Sequence, residues 1–317
     1  MRIVRNFEEI LNQAPAVNLL RSALKKNRIA HAYLFTGPKG VGKETTAKAF
    51  IYHLFCHINN DAPCGECLSC KKLDKEIHPD VVRISPEKRD IRIDTVREVE
   101  RFIRFRPLEA PYKVVVIQQA EKLNPEAGNA LLKSLEEPPS YVIFILITEN
   151  PTQLLPTILS RSQIVKFRPL SEKTIKDFLI KYAQYDEVMA QTLAELSLGS
   201  LGRALEIAEK GLLEELNAFV KAGLSHKAEV KFKAAERLSR MERENYELFF
   251  YLLTLWVWKS YLKEKLDLPY PKALPEETFK GDPKLAIREI SQAKTALDYF
   301  LHPELTFYTL LNRLFSF

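Results

Sequence analysis

The chain has 317 residues, 46% hydrophobic and 28% charged, enough apolar material for two or three cores. No apolar run follows the opening MRIVRNFEEIL, and the longest apolar stretch, residues 249–258 with Thr254 inside it, is about half the length that crosses a bilayer; a cytoplasmic protein without membrane span or export signal is expected. The net charge of +6 is too diffuse to argue for nucleic acid by itself.

Strands are predicted at 32–36 (AYLFT), 81–84 (VVRI), 113–117 (KVVVI), 142–148 (VIFILIT) and 163–167 (QIVKF). They alternate with amphipathic helical segments, the pattern of an α/β fold with a parallel sheet. Runs such as VVVI and VIFILI lack polar alternation, as central strands covered on both faces require. Asp94 is placed as the N-cap of a helix to about Phe105, and a helix over 124–137 is stopped by Pro138-Pro139. Past Arg168-Pro169-Leu170 the strand signal ends. Ser171, with Glu172 and Asp177 following, opens a helical stretch to about Gly211, punctuated by Gly199 and Gly202. Helices over 245–265 and 283–300 flank a proline-rich loop at 268–283. Three domains are expected: α/β over 1–168, small helical over 169–211 and larger helical over 212–317.

The segment Gly37-Pro-Lys-Gly-Val-Gly-Lys43 follows a strand and opens a helix, the context a phosphate-binding P-loop needs. Gly37, Gly40 and Gly42 let backbone N–H groups face an anion, the helix start adds partial positive charge, and Lys43 reaches the outer phosphates. The next residue is Glu44, where the motif wants a Ser or Thr hydroxyl on magnesium; Thr45 comes one position late, about 100° around the helix. The strand at 113–117 should end in the acidic pair that holds the metal and polarises the attacking water. It ends in Gln118-Gln119. An amide cannot serve as general base, and losing a positioned base alone costs about 10²–10⁴ in rate. The cradle is kept while hydrolysis is not expected, which leaves nucleotide binding open.

All four cysteines fall between Cys56 and Cys70, spaced Cys56-x7-Cys64-x2-Cys67-x2-Cys70, with Gly65 permitting a sharp turn. In a reducing compartment such a cluster argues for metal over disulfides. Four thiolates suit one tetrahedral zinc with no open position, hence a structural site; reduced structural cysteines and a redox pair are the competing readings. Asp61, Pro63 and Gly65 argue that the insert is a loop and not a helix, and His53, His57 and His78 lie nearby without being needed. Arg97, Arg101 and Arg104 share one helix face opposite Val96, Val99 and Ile103. That stripe could track phosphates, but with Glu98 and Glu100 beside it a solvated face is the simpler reading. Taken singly, Arg161 in Ser160-Arg161, the strand-end Thr148, and Arg203, before a stripe of Ala204, Leu205 and Ala208, are ordinary surface or strand-end residues.

Together these segments resemble the AAA+ subunits of the bacterial DNA polymerase III clamp loader. The resemblance rests on RIAHAYLFTGPKGVGK (28–43), the four-cysteine insert, NALLKSLEEPP (129–139), LSRSQIVKF (159–167) and GSLGRALEIA (199–208); it is sharp over 1–210 and diffuse beyond. It implies an AAA+ domain, a small helical lid and an all-α collar that assembles a five-membered hetero-oligomer. It further implies Arg161 as an arginine finger acting in trans, Thr148 and Arg203 at the two sensor positions, and Gly37, Gly40, Gly42, Lys43 and Thr45 in a vestigial nucleotide site. Zinc would sit on Cys56, Cys64, Cys67 and Cys70. Within the family, Glu44, Gln118 and Gln119 match the delta-prime class, which does not hydrolyse ATP. Its implied partners are tau/gamma-type motor subunits and a delta subunit and, through the complex, the sliding clamp and primed DNA, with no membrane. Ser162 stands where the family's Ser-Arg-Cys segment has cysteine. The alternative within the family is a hydrolysing motor, which would call for an acid at 118 or 119. A P-loop nucleotide kinase would leave the helical last third unexplained. A zinc-dependent DNA reader would have little basic charge beyond Lys71-Lys72.

Overall fold

A computed structural model of the chain describes residues 4–58, 62–87, 89–299 and 301–315, and it resolves into two compact units, Met1–Leu170 and Ser171–Phe317. The proposed roles of Asp61 in the insert and Phe300 as a helix end lie outside the described residues. In the first unit, α1 (Ala14–Lys25), β1 (Ala32–Thr36), α2 (Lys43–Phe55), α3 (Leu68–Asp74) and β2 (Val81–Ile84) are followed by α4 (Ile93–Arg104) and β3 (Lys113–Ile117). Then come α5 (Pro125–Glu136), β4 (Val142–Thr148), α6 (Pro156–Ser160) and β5 (Gln163–Lys166). The strands form one parallel sheet of five in the order β2-β3-β4-β1-β5.

The missing polar alternation has its cause in two cores, one on each face. Tyr33, Phe35, Val114, Val116, Ile143 and Ile145 enter one with α1, α2 and α3, while Leu34, Val115, Ile117, Phe144 and Leu146 enter the other with α4, α5 and α6. Side chains alternate across a strand, so a doubly covered strand must be apolar at every position. Strand β5 lies at the edge and is exposed except at Val165. Its assigned end is Lys166, one residue short of the predicted Phe167, yet the Phe167 N–H still donates to Thr36 O at 2.8 Å. Buried Gln13 then draws the chain off the sheet by accepting from the Arg168 N–H at 3.1 Å and donating to Arg168 O at 2.7 Å.

Three local expectations are corrected. Helix α4 starts at Ile93 with extended Arg92 as its N-cap; Asp94 sits in the first turn instead, paired with Arg97 at 3.1 Å. An acid there still meets the positive end of the helix, so the same residue suits either place. The insert is not all loop, because Cys56 closes α2 and Cys70 lies inside α3, whose N-cap is Cys67. In the 201–210 helix the buried positions are Ala204 and Ile207, with Leu205 and Ala208 only partly covered.

The second unit contains α7 (Glu172–Ala183), α8 (Glu187–Leu196), α9 (Leu201–Lys210), α10 (Leu212–Leu224), α11 (Ala228–Ser239), α12 (Arg243–Leu266), α13 (Pro283–Asp298) and α14 (Pro303–Leu314). Ser171 caps α7 by accepting from the Thr174 N–H at 3.2 Å, and Gly211 sits between α9 and α10 at φ +61°. The apolar run at 249–258 is the largely buried middle of α12, with Trp258 exposed at its end and Phe249 packed edge-on against Phe219 and Phe307. Trp256 satisfies its indole N–H on Glu277 O at 2.9 Å. Among the described residues no helix is long and apolar enough to cross a membrane.

Asp80 ties the approach to β3. Its carboxylate is fully buried and accepts three backbone N–H groups, from Leu108 at 2.7 Å, Glu109 at 2.8 Å and Ala110 at 2.9 Å. Asp80→Ala would take the shared acceptor from three part-buried backbone donors and is expected to cost about 1–3 kcal/mol, with Asp80→Asn in between. Urea unfolding of the three proteins measures this, and an unchanged midpoint for Asp80→Ala would contradict it.

Candidate functional site

The P-loop leaves the carboxyl end of β1, where parallel sheets place their ligands. Gly37 donates its N–H to Thr148 O at 3.3 Å, and a Cβ on Gly37 would stand 2.5 Å from Phe167 O, so only glycine fits between β4 and the end of β5. Gly42 is the N-cap of α2 at φ +100°, which turns the chain from loop to helix at no side-chain cost. Lys43 is buried, and its ammonium donates back to Gly37 O at 2.5 Å and Pro38 O at 2.7 Å. Thr148 is buried at the end of β4, level with Thr36, and its hydroxyl accepts from the Asn150 N–H at 3.1 Å. Gly37, Gly40, Gly42, Lys43 and Thr148 are therefore brought together at one edge of the sheet.

The magnesium side is different. Glu44 points along the surface of α2 to Lys48 at 3.3 Å, and Thr45 is partly exposed one position further on. The buried hydroxyl on this helix is that of Thr46, which donates to Gly42 O at 2.8 Å. At the end of β3, Gln118 donates its N–H to Ile84 O at 2.9 Å, and Gln119 is exposed in a left-handed conformation at φ +49°. The carboxylates that act on Lys43 come from elsewhere, Glu149 and Glu121. Burial holds the Lys43 pKa below the ordinary lysine value against the pull of both acids. Glu121 accepts from the Glu149 N–H at 3.5 Å through one oxygen, and its other oxygen is buried without a partner. Sequence reading passed over both acids because neither occupies a motif position.

Arg161 stands at the opposite edge. It closes α6 just before β5, and the register places Gln163 beside Tyr33 and Lys166 beside Thr36. Gln163 to Phe167 alone spans about 13 Å along the strand. The guanidinium turns away from the P-loop, donating to Thr157 O at 3.2 Å and pairing with Glu136 at 2.8 Å, with about a third of the side chain exposed. Ser162 donates its hydroxyl to Ile158 O at 2.9 Å. Arg203 belongs to the second unit, where its guanidinium lies 4.0 Å from the centroid of the Tyr251 ring, whose hydroxyl donates to Leu196 O at 2.6 Å. A cation over an aromatic face fastens α9 to α12. Arg97, Arg101 and Arg104 lie on the exposed face of α4, the first two beside Asp94 and Glu98 at 3.1 and 4.0 Å.

The four cysteine sulfurs lie within 4.8 Å of one another, and no disulfide joins them. Backbone N–H groups point at the sulfurs, as anionic sulfur favours: Cys64 N–H to Cys56 Sγ at 3.3 Å, Cys67 N–H to Cys64 Sγ at 3.3 Å and Cys70 N–H to Cys67 Sγ at 3.4 Å. Soft donors of this number, convergence and N–H support fit a closed four-thiolate metal centre. Burial pushes the Cys70 thiol up, a cost that a divalent cation would reverse. No histidine joins the cluster: His78 binds the Ser69 hydroxyl at 2.9 Å, and His53, stacked on Phe7, is kept neutral by burial with a pKa of about 4. Arg5 reaches the Gly65 turn and makes a bidentate pair with Asp74 at 2.9 and 2.8 Å, where Tyr52 also donates at 2.6 Å.

A five-stranded parallel sheet in this order, with a P-loop after β1, which lies between β4 and β5, defines an AAA+ domain. The sequence model of the family described as DNA polymerase III, delta subunit matches residues 12–171. The chain belongs to the DNA polymerase III clamp-loader subunits. It is 34% identical to the DNA polymerase III subunit delta' of Bacillus subtilis over 66% of this chain and 63% of that one. It is 33% identical to the subunit tau of the same organism over 66% of this chain and 38% of tau, and 33% identical to the tau/gamma subunit of Haemophilus influenzae over 66% and 31%. The match thus spans less than two thirds of these relatives' own length. Among solved structures, a gamma subunit-related protein of Thermotoga maritima aligns over 94% of this chain and 98% of its own with a TM-score of 0.50, a likeness of fold at 20% identity.

The network under the cysteine turn has a pH signature. Hydrogen bonds from Arg5 hold the Asp74 carboxyl below its ordinary value, even against burial. A depressed carboxyl contributes stability that is present above its unfolded pKa of about 4 and lost as pH falls through the lower folded value. Urea midpoints measured from pH 5 down to pH 2.5 should therefore fall more steeply for the wild type than for Asp74→Asn, and parallel curves would remove Asp74 from the acid response.

Proposed function

We propose that this chain is the non-hydrolysing, delta-prime-type subunit of a clamp loader, which completes the ATP site of a neighbouring motor subunit with Arg161. The observation that carries the reading is the placement of Arg161 at the sheet edge away from its own P-loop, exposed and out of reach of any nucleotide in its own cradle. A guanidinium so placed is available to another chain and not to the P-loop of its own. It is always charged and can bridge the oxygens on which charge grows during phosphoryl transfer, worth about 10³–10⁵ in rate for such fingers. The chain's own site lacks the other half of the chemistry, because Gln118 and Gln119 offer neither metal ligand nor base and Glu44 is engaged on the helix surface. The same glutamines count against the hydrolysing motor. Lys43, Thr45, Thr148 and Arg203 are then remnants of a nucleotide site. The helices of 171–211 and 212–317 serve as lid and collar, and the collar joins tau/gamma-type and delta-type partners so that the complex loads the sliding clamp onto primed DNA.

Zinc is proposed for Cys56, Cys64, Cys67 and Cys70, where it would cross-link the end of α2 to the start of α3 and supply no catalysis. Protein purified without added metal should contain one zinc per chain by elemental analysis. A content near zero, with four titratable thiols in the folded protein, would overturn the site.

For the finger, the measurement is steady-state ATPase of the reconstituted complex with clamp and primed DNA. Arg161→Ala is expected to assemble normally and to slow hydrolysis at the site it serves about tenfold or more, with Arg161→Lys a poor substitute. The isolated chain should show no turnover. Mutants that assemble and match wild type would leave Arg161 a surface residue.

A further inference from the structure

Arg161 is held by groups of different origin, from its own helix and from α5. Thr157 O is one turn back on its own helix, while the Glu136 carboxylate comes from the last turn of α5, stopped by Pro138-Pro139. The spacing of the two helices is fixed independently, since Leu155 lies against Gly128, where an added Cβ would stand 3.0 Å from it. One terminal nitrogen donates to Thr157 O and to Ser160 Oγ, at 3.2 and 3.4 Å, while the other faces Glu136, so the carboxylate is the one charged anchor on the fork.

We infer that Glu136 is a positioning residue for Arg161: it fixes the guanidinium in the rotamer presented to the neighbouring subunit. This rests on the finger reading above. A long arginine side chain at a surface samples many rotamers, and a finger acts only if it is in place when charge develops on the phosphoryl group. Glu136 could also work against the finger by cancelling its charge. The two effects are decided by exposure: half of the Glu136 side chain and a third of the Arg161 side chain are open to water, so screening weakens the field of the carboxylate while the short contact still selects a geometry. A phosphate group in a closed interface outweighs one screened carboxylate, and the pair can hold or yield without blocking transfer.

The test is a double-mutant cycle in the assembled complex, with assembly, ATPase kcat and KM read for wild type, Glu136→Gln, Arg161→Ala and the double variant. Glu136→Gln should assemble normally, lower kcat about two- to fivefold and leave KM unchanged, a size set by a partly exposed ion pair. On the Arg161→Ala background it should change nothing further. An equal loss on both backgrounds would mean that Glu136 acts on the fold, and a rise in kcat would make it a competitor of the finger; either overturns the inference. A wild-type kcat for Glu136→Gln beside a slowed Arg161→Ala would overturn the inference and leave the finger standing. A wild-type kcat for Arg161→Ala would remove both.

Discussion

Strand β1 lies between β4 and β5 with all three parallel, Thr36 level with Thr148 on one side and with Lys166 on the other. From that register the rest follows. The loop leaving β1 is forced to the carboxyl edge of the sheet, among Thr148 and the carbonyl of Phe167, while the turn entering β5 is forced to the amino edge with Arg161 in it. A parallel sheet cannot bring these two ends together, because its strands all run the same way and each crossover returns the chain to the start. One fold therefore keeps the P-loop and Arg161 apart within a chain. Two-faced burial of β3 and β4 makes the arrangement stiff, since every residue of these strands is fixed by packing on one side or the other.

Inside the cradle, the chain's own groups surround the charge of Lys43. The Lys43 ammonium is covered, bonded to two carbonyls of its own loop and attracted by Glu121 and Glu149. A buried cation without such partners would lose its proton or open the loop. Arg203, which the family resemblance would put at a sensor position, lies over the Tyr251 ring within the second unit.

Most of the architecture was legible in the sequence, because strands buried on both faces and a glycine-rich turn leave strong local signatures. Four of the predicted strands match their observed bounds, and β5 differs by one residue where Gln13, far away in sequence, captures Arg168. The four cysteines could be read as a group because ligand spacing is itself local. What escaped were contacts made between distant segments. Nothing in sequence marks Glu136 as the partner of Arg161 or Glu121 and Glu149 as the acids acting on Lys43, because each pairing is created by the sheet order. The N-cap of α4 was misplaced by two residues and the buried face of α9 by about one, since neighbouring positions satisfy the same local rule and tertiary packing chooses between them.

Gly37 shows which positions of a P-loop are fixed by packing independently of any chemistry. Its missing side chain is demanded by the carbonyl of Phe167, so the position would resist replacement even in a lineage that never again met a phosphate. Gln119 is exposed and Glu44 faces solvent, where a change of side chain disturbs no packing. In an ancestral site of this kind, chemistry can drift away at solvent-facing positions while the framework glycines stay, held there by neighbours that have nothing to do with catalysis. The outline of a nucleotide site is thus a record of packing history, and its working state is written in the few residues the fold does not need.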